Sequence, residues 1–199
     1  VKPATFAILL LVTILGAACG TTPNPTFYTL YSSVAGAPAT ISAPGSSYRV
    51  VIGPVTLPET VDRPQLVVRV APNRVAILEQ HRWAEPLKSE LPRVMAEQLS
   101  ILLGTPWVSA YPQRVGEGAE HRVLVDVQRF DSAPGEGVTI ELLWTIRRAS
   151  GGEPKTGRSL VSEQVTELGY DALVAAHGRA LAGVCRDIAR TLRADMMSP

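Results

Sequence analysis

Cysteine, histidine and lysine are all scarce in this chain of 199 residues, which holds 2 Cys, 3 His and 3 Lys. Two cysteines cannot form a disulfide framework. The three histidines, His81, His121 and His177, fall in different predicted elements without metal-ligand spacing, and each reads as a surface or boundary residue. Signatures of common catalytic centres are missing too: no G-x-S-x-G, no phosphate-binding glycine loop, no H-E-x-x-H and no C-x-x-C. Asp126 could orient an imidazole, but it reads better as an acid on a half-solvated strand. The sequence therefore points to a protein without catalytic residues and without a metal. Charge is balanced, with 19 basic and 18 acidic side chains giving a net +1, and no basic block stands out. Nucleic acid has no electrostatic footprint to grip. No apolar run reaches the ~20 residues a membrane-crossing helix needs, and no internal repeat is evident.

What is present begins at the N-terminus. Lys2 precedes an uncharged apolar run from Phe6 to Leu15, then Gly16, Ala17, Ala18 and Cys19. A cation, a short apolar region and small residues at a cut describe a secretory signal. Ending it on small-small-Cys describes a lipoprotein signal, with residues 1–18 removed and Cys19 carrying a diacylglyceryl group and an N-acyl chain. An uncleaved anchor and an ordinary secretory cysteine are the competing readings. Two acyl chains suffice for stable anchoring, at about 0.8 kcal/mol per buried methylene. Gly20, rather than Asp, after the cysteine favours the outer membrane over the inner one. Residues 19–26 then form a polar, proline-containing tether.

Residues 27–199 read as a single α+β domain: a largely antiparallel β-sheet with two long helices on one face. Strands are expected at 27–31, 48–55, 66–70 and 74–79. The last two are joined by Ala71-Pro72-Asn73, where Asn73 can take a positive φ. A Gly/Ala/Pro/Ser-rich loop separates the first two. The first helix runs from about Glu85 to Leu103, with Leu87, Leu91, Val94, Met95 and Leu99 on its apolar face and Lys88, Glu90, Arg93 and Glu97 on the surface. Pro92 should kink it unless the helix starts nearer Ser89. Strands follow at 121–130, 138–147 and 158–168. The second helix spans Tyr170 or Asp171 to Asp195, with Asp171 as N-cap. Cys185, on its apolar stripe, reads as a small buried hydrophobe.

Two stretches carry weight for binding. One is the turn Asp62-Arg63-Pro64-Gln65-Leu66. The other is Arg82-Trp83-Ala84-Glu85-Pro86-Leu87, which puts a large aromatic at a helix entry. Trp83 is either a staple onto the sheet or an anchor for a partner. Arg63 is either a solvated turn residue or a contact.

The ordered set of lipidation motif, FYTL, V-x-I-G-P-V, DRPQLV, RWAEPL, R-F before a P-G loop, W-T-I and YDALV resembles the PqiC family of ABC-type transport auxiliary lipoproteins. Gly16 in the lipidation motif and the long insertion after the first strand depart from its pattern. The resemblance implies a non-catalytic lipoprotein facing the periplasm from the outer membrane. It would work with an inner-membrane complex carrying MCE domains that moves lipid between membranes and supports envelope integrity. Its implied part is to dock the periplasmic conduit, as an oligomer. By extension, Arg63, Pro64, Gln65, Trp83, Glu85, Pro86 and Leu87 would belong to the docking surface or the subunit interface. No cofactor beyond the covalent lipid is implied. The alternative is a lipid carrier holding an acyl chain in a cavity between helices and sheet.

Overall fold

A computed structural model describes residues 24–32, 48–112 and 118–197 of the chain. The signal, Cys19 and most of the tether lie outside the described residues, as does most of the loop after the first strand. In chain order the elements are β1 (Thr26–Tyr28), β2 (Val50–Thr56), β3 (Gln65–Ala71), β4 (Arg74–Trp83), α1 (Leu87–Leu103), β5 (Val108–Ala110), β6 (His121–Ala133), β7 (Gly137–Arg148), β8 (Lys155–Gln164) and α2 (Tyr170–Met196).

The class is α+β, as expected, but the strands divide into two sheets. One has three strands in the order β1-β4-β3, the other five in the order β5-β2-β6-β7-β8. Their long ladders, β6 with β7 and β7 with β8, are antiparallel hairpin pairings. Parallel pairing enters where chain neighbours are not space neighbours: β2 lies between β5 and β6, parallel to both, and β1 lies parallel to β4. Parallel strands need a long crossover, and here β3, β4 and α1 intervene between β2 and β5.

Alternation along the strands sets the layers. Val123, Val125 and Val127 on β6, with Ile140, Leu142, Trp144 and Ile146 on β7, turn inward and are buried. A register shift between Val127 and Arg129 then breaks strict alternation. The extra residue sends Arg129 outward and Phe130 into the core, as a bulge does. Both helices cover this inward face, α1 against β2 and β5, α2 against β7 and β8, and they pack on each other. Each fully buried aliphatic side chain contributes roughly 1.5–3 kcal/mol.

Helix α1 begins after Pro86, whose carbonyl accepts from the N–H groups of Ser89 and Glu90 at 2.8 and 3.0 Å. Pro92 stands inside the helix, so the Lys88 carbonyl is left without its helical donor. Gly104 closes α1 in the left-handed conformation at φ 68°, and Thr105 N–H reaches back to Ser100, the glycine-terminated helix end.

Five local expectations are corrected. Asp171 is not the N-cap of α2: Gly169 is, without a side-chain cap bond, and Asp171 sits in the first turn, where its charge still suits the helix dipole. Asn73 does not take a positive φ, since every described residue with positive φ is glycine. Glu90 is not on the surface but fully buried. His121 and His177 are buried as well, because each finds a polar partner inside: Asp195 for one, Ser132 for the other.

Candidate docking surface

The two stretches singled out in the sequence meet in space. Trp83 N–H donates to the Pro64 carbonyl at 2.7 Å, and Lys88 Nζ lies 3.6 Å from Asp62. The Asp62–Gln65 turn is thereby fastened to the entry of α1. Gln65 Nε2 donates to Glu79 at 3.1 Å, and Arg93 pairs with Glu85 at 2.6 Å. Pro64 and Pro86 face outward, with Arg63, Gln65 and Glu85 half-buried beside them. Arg63 Nε is buried without a hydrogen-bond partner among the described residues. Trp83 and Leu87 point the other way and are buried. The Trp83 ring meets Phe130 edge-on at 6.1 Å and His177 at 6.4 Å between centroids, so it staples the sheet edge to the core. The outward ridge is thus Arg63, Pro64, Gln65, Glu85 and Pro86, supported from beneath by Trp83 and Leu87.

Beside this ridge, an open cleft of about 550 Å³ separates the three-stranded sheet from the helix-free face of the larger one. Val61, Val67, Val75 and Phe130 line it with Arg69, Arg129 and Asp131. Arg69 bridges the two sheets, donating to Asp131 and to Glu136 at 2.9 Å each. The cleft is amphipathic and broad, suited to another protein surface rather than to an enclosed small molecule. Between helices and sheet, the space an acyl chain would need is filled by Ile52, Leu91, Met95, Leu99, Leu181 and Ile188, all under 2% exposed.

Sequence reasoning missed three buried polar contacts. Glu90 Oε1 accepts from the Thr29 hydroxyl at 2.5 Å and from Leu30 N–H at 2.7 Å, and desolvation pushes its pKa up. Ser132 Oγ lies 2.7 Å from His177 Nε2. This has the composition of a nucleophile–base pair, but both residues are enclosed, the imidazole stacks on Phe130 at 4.1 Å, and its Nδ1 has no partner among the described residues. Burial lowers the His177 pKa to about 3, so the ring is neutral. Asp195 accepts from Arg148 Nε at 2.7 Å and lies 3.2 Å from His121 Nε2. The Arg148 hydrogen bond, more than anything else, holds its pKa below the usual carboxylate range. No spacing rule in the sequence announces these pairs, whose members lie 45 to 74 residues apart. Among the described residues no group of three or more His, Cys, Asp or Glu could hold a metal ion.

The chain matches the model of the ABC-type transport auxiliary lipoprotein component family over residues 28–189, and it belongs to that family. The resemblance read from its motifs is thereby confirmed. Two solved structures share the fold. One, a crystal structure of an uncharacterised protein, has 20% identity and a TM-score of 0.67, covering 85% of this chain and 99% of that one. The other, a Xanthomonas campestris protein of the DUF330 family, also has 20% identity and a TM-score of 0.67, covering 87% and 100%. No curated protein matches the chain in sequence. As a member of a lipoprotein family it is a membrane-anchored envelope protein, an accessory associated with an ABC-type transport system. No helix among the described residues is long and apolar enough to cross a membrane.

Proposed function

We propose that this lipoprotein is a non-catalytic subunit held at the periplasmic face of the outer membrane by acyl chains on Cys19. There it docks the periplasmic conduit of an MCE-type lipid transport system and supports envelope integrity. It acts by protein contact and as an oligomer. Family membership supports the accessory role. The observation that carries docking is the junction of the Asp62–Gln65 turn with the α1 entry, where Trp83 N–H holds the Pro64 carbonyl and presents Arg63, Pro64, Gln65, Glu85 and Pro86 as one outward ridge. The filled layer between helices and sheet weighs against the second reading, a carrier with an acyl chain in its own cavity.

Cys19→Ala should release the domain from membranes and abolish envelope protection while leaving its melting temperature unchanged. Photo-crosslinkers at Arg63 and Glu85 should capture an MCE-domain protein in cells. Full detergent resistance from the unlipidated chain would sink the anchoring half of the reading, and crosslinks to unrelated proteins alone would sink the docking half.

A further inference from the structure

One corner of the helix-free face carries side chains that neither the core nor the Arg63–Pro86 ridge uses. Strand register decides which they are. Val50 pairs with Val108 on β5 and with His121 on β6, and His121 reaches inward to Asp195 of α2. Residues one step away therefore point to the opposite face. Trp107 and Arg49 meet there just before the paired residues. Ser109, Val51, Arg122 and Arg147 form the next row, in which Ser109 and Val51 are buried and the two arginines exposed.

In this corner the Arg49 guanidinium lies over the Trp107 ring at 5.1 Å, and that of Arg122 lies over Tyr111 at 5.5 Å. Trp107 is 44% and Tyr111 49% exposed. Arg122 and Arg147 are direct cross-strand partners, both exposed. Like charges placed opposite each other cost stability, and neither arginine forms an ion pair among the described residues. The nearby Asp195 is already engaged by Arg148 on the inner side. Glu120, whose N–H donates to the Arg49 carbonyl at 2.9 Å, is an exposed acid at the corner's edge. A local arrangement that opposes stability is expected at sites kept for binding. Trp, Tyr and Arg are the residues that carry interface energy. A guanidinium held on an aromatic face is a preorganised fork for carboxylates.

Placement narrows the partner. Helix α1 starts beside Leu30, which Glu90 holds, and ends at Leu103, four residues before Trp107. Its 17 residues span about 25 Å at 1.5 Å per residue. The corner therefore stands a helix length from the point where the chain enters the domain. On the proposed anchoring, a membrane held through Cys19 would lie toward the other pole.

We infer that the corner formed by Arg49, Trp107, Tyr111, Arg122 and Arg147 docks an acidic segment of a partner protein. Choosing protein over a lipid surface rests on the proposed anchoring at Cys19.

The test uses the full lipidated chain in detergent micelles and a fluorescein-labelled poly-glutamate peptide, read by anisotropy. R122E/R147E should weaken binding about tenfold or more. R74E/R186E, with the same charge change elsewhere, should weaken it less than about twofold. Equal weakening by both variants, or no peptide binding by the parent chain, would overturn the proposal. Should R122E/R147E fail to fold, the neutral R122Q/R147Q pair makes the same comparison against R74Q/R186Q. Reconstitution into vesicles of phosphatidylglycerol and brominated phosphatidylcholine supplies the second arm. Trp107 emission, taken as the difference from W107F, should escape bromine quenching; strong quenching would make this a lipid-facing surface and end the proposal. Failure of the anchoring reading shows separately, as a bare Cys19 in the mass of the mature polypeptide, and peptide binding then still decides the corner.

Discussion

Glu90 Oε1, inside the first turn of α1, accepts the backbone N–H of Leu30 at 2.7 Å, and the residue is wholly shielded from solvent. Leu30 follows β1 by two residues, so this carboxylate fastens the segment that enters the domain onto the helix that spans it. Arg93, 3.6 Å away, offsets part of the charge, while Oε2 is buried without a partner among the described residues.

Glu90→Ala should cost about 1–3 kcal/mol, because it strands a buried N–H and removes the acceptor of Thr29. Hydrogen exchange at Leu30 should accelerate while the β6–β7 ladder stays protected. Glu90→Gln keeps an acceptor and should retain the fold. Desolvation raises the folded pKa of Glu90 above the unfolded value of about 4.3. Its contribution is thus fully present below that value and lost as pH rises through the folded pKa. Urea midpoints followed with pH should show this loss in the parent chain and not in Glu90→Gln.

Asp195 and His177 act on the acid side. The Asp195 pKa is lowered, chiefly by Arg148, so its contribution is present above the unfolded value of about 3.9 and fades as pH falls through the folded pKa. His177 stays neutral down to about pH 3, whereas the unfolded ring takes a proton near pH 6.5. Stability should therefore fall by up to about 1.4 kcal/mol per pH unit below that point. In His177→Phe the slope between about pH 6 and 4 should be shallower, measured by chemical denaturation.

Trp144 lies over Gly157, its cross-strand partner on β8, and any Cβ there would fall inside the indole ring. The indole N–H also donates to Ser159 at 3.2 Å. Gly157→Ala should cost about 1–3 kcal/mol through overpacking, seen as a lower thermal midpoint. An unchanged midpoint would mean that the ring moves aside freely.

Arg147→Thr relieves the cross-strand repulsion from Arg122. It should raise stability by about 0.2–1 kcal/mol in low-salt denaturation, and less in high salt. A loss of stability would show that Arg147 supports the fold.

Cys185 is fully buried on α2, and burial pushes its thiol pKa up. It should resist alkylation in the native state and react on unfolding. Rapid native labelling would place it at an accessible opening.

Local pattern was enough for most elements. Period-two alternation on β6 and β7 and the Leu/Val/Met stripe of α1 gave strands and helices nearly in register with the structure, because each was written by one buried face. Gly104 ends α1 for an equally local reason, since glycine takes the left-handed conformation without a side-chain clash. The ridge at Arg63–Pro86 was legible as two separate stretches, but their meeting was not. It depends on the Trp83–Pro64 hydrogen bond and the Lys88–Asp62 ion pair, and no spacing rule encodes them.

What the sequence alone determined is the α+β class, the helix-covered face, the motif order that marks the family, and the lack of recognisable catalytic motifs. Tertiary structure decided the split into two sheets, the burial of Glu90, His121 and His177, and the corner where Arg122 and Arg147 stand side by side. The reason is physical. Apolar periodicity is a property of neighbours along the chain, whereas the cost of burying a charge is set by donors that folding brings from far away.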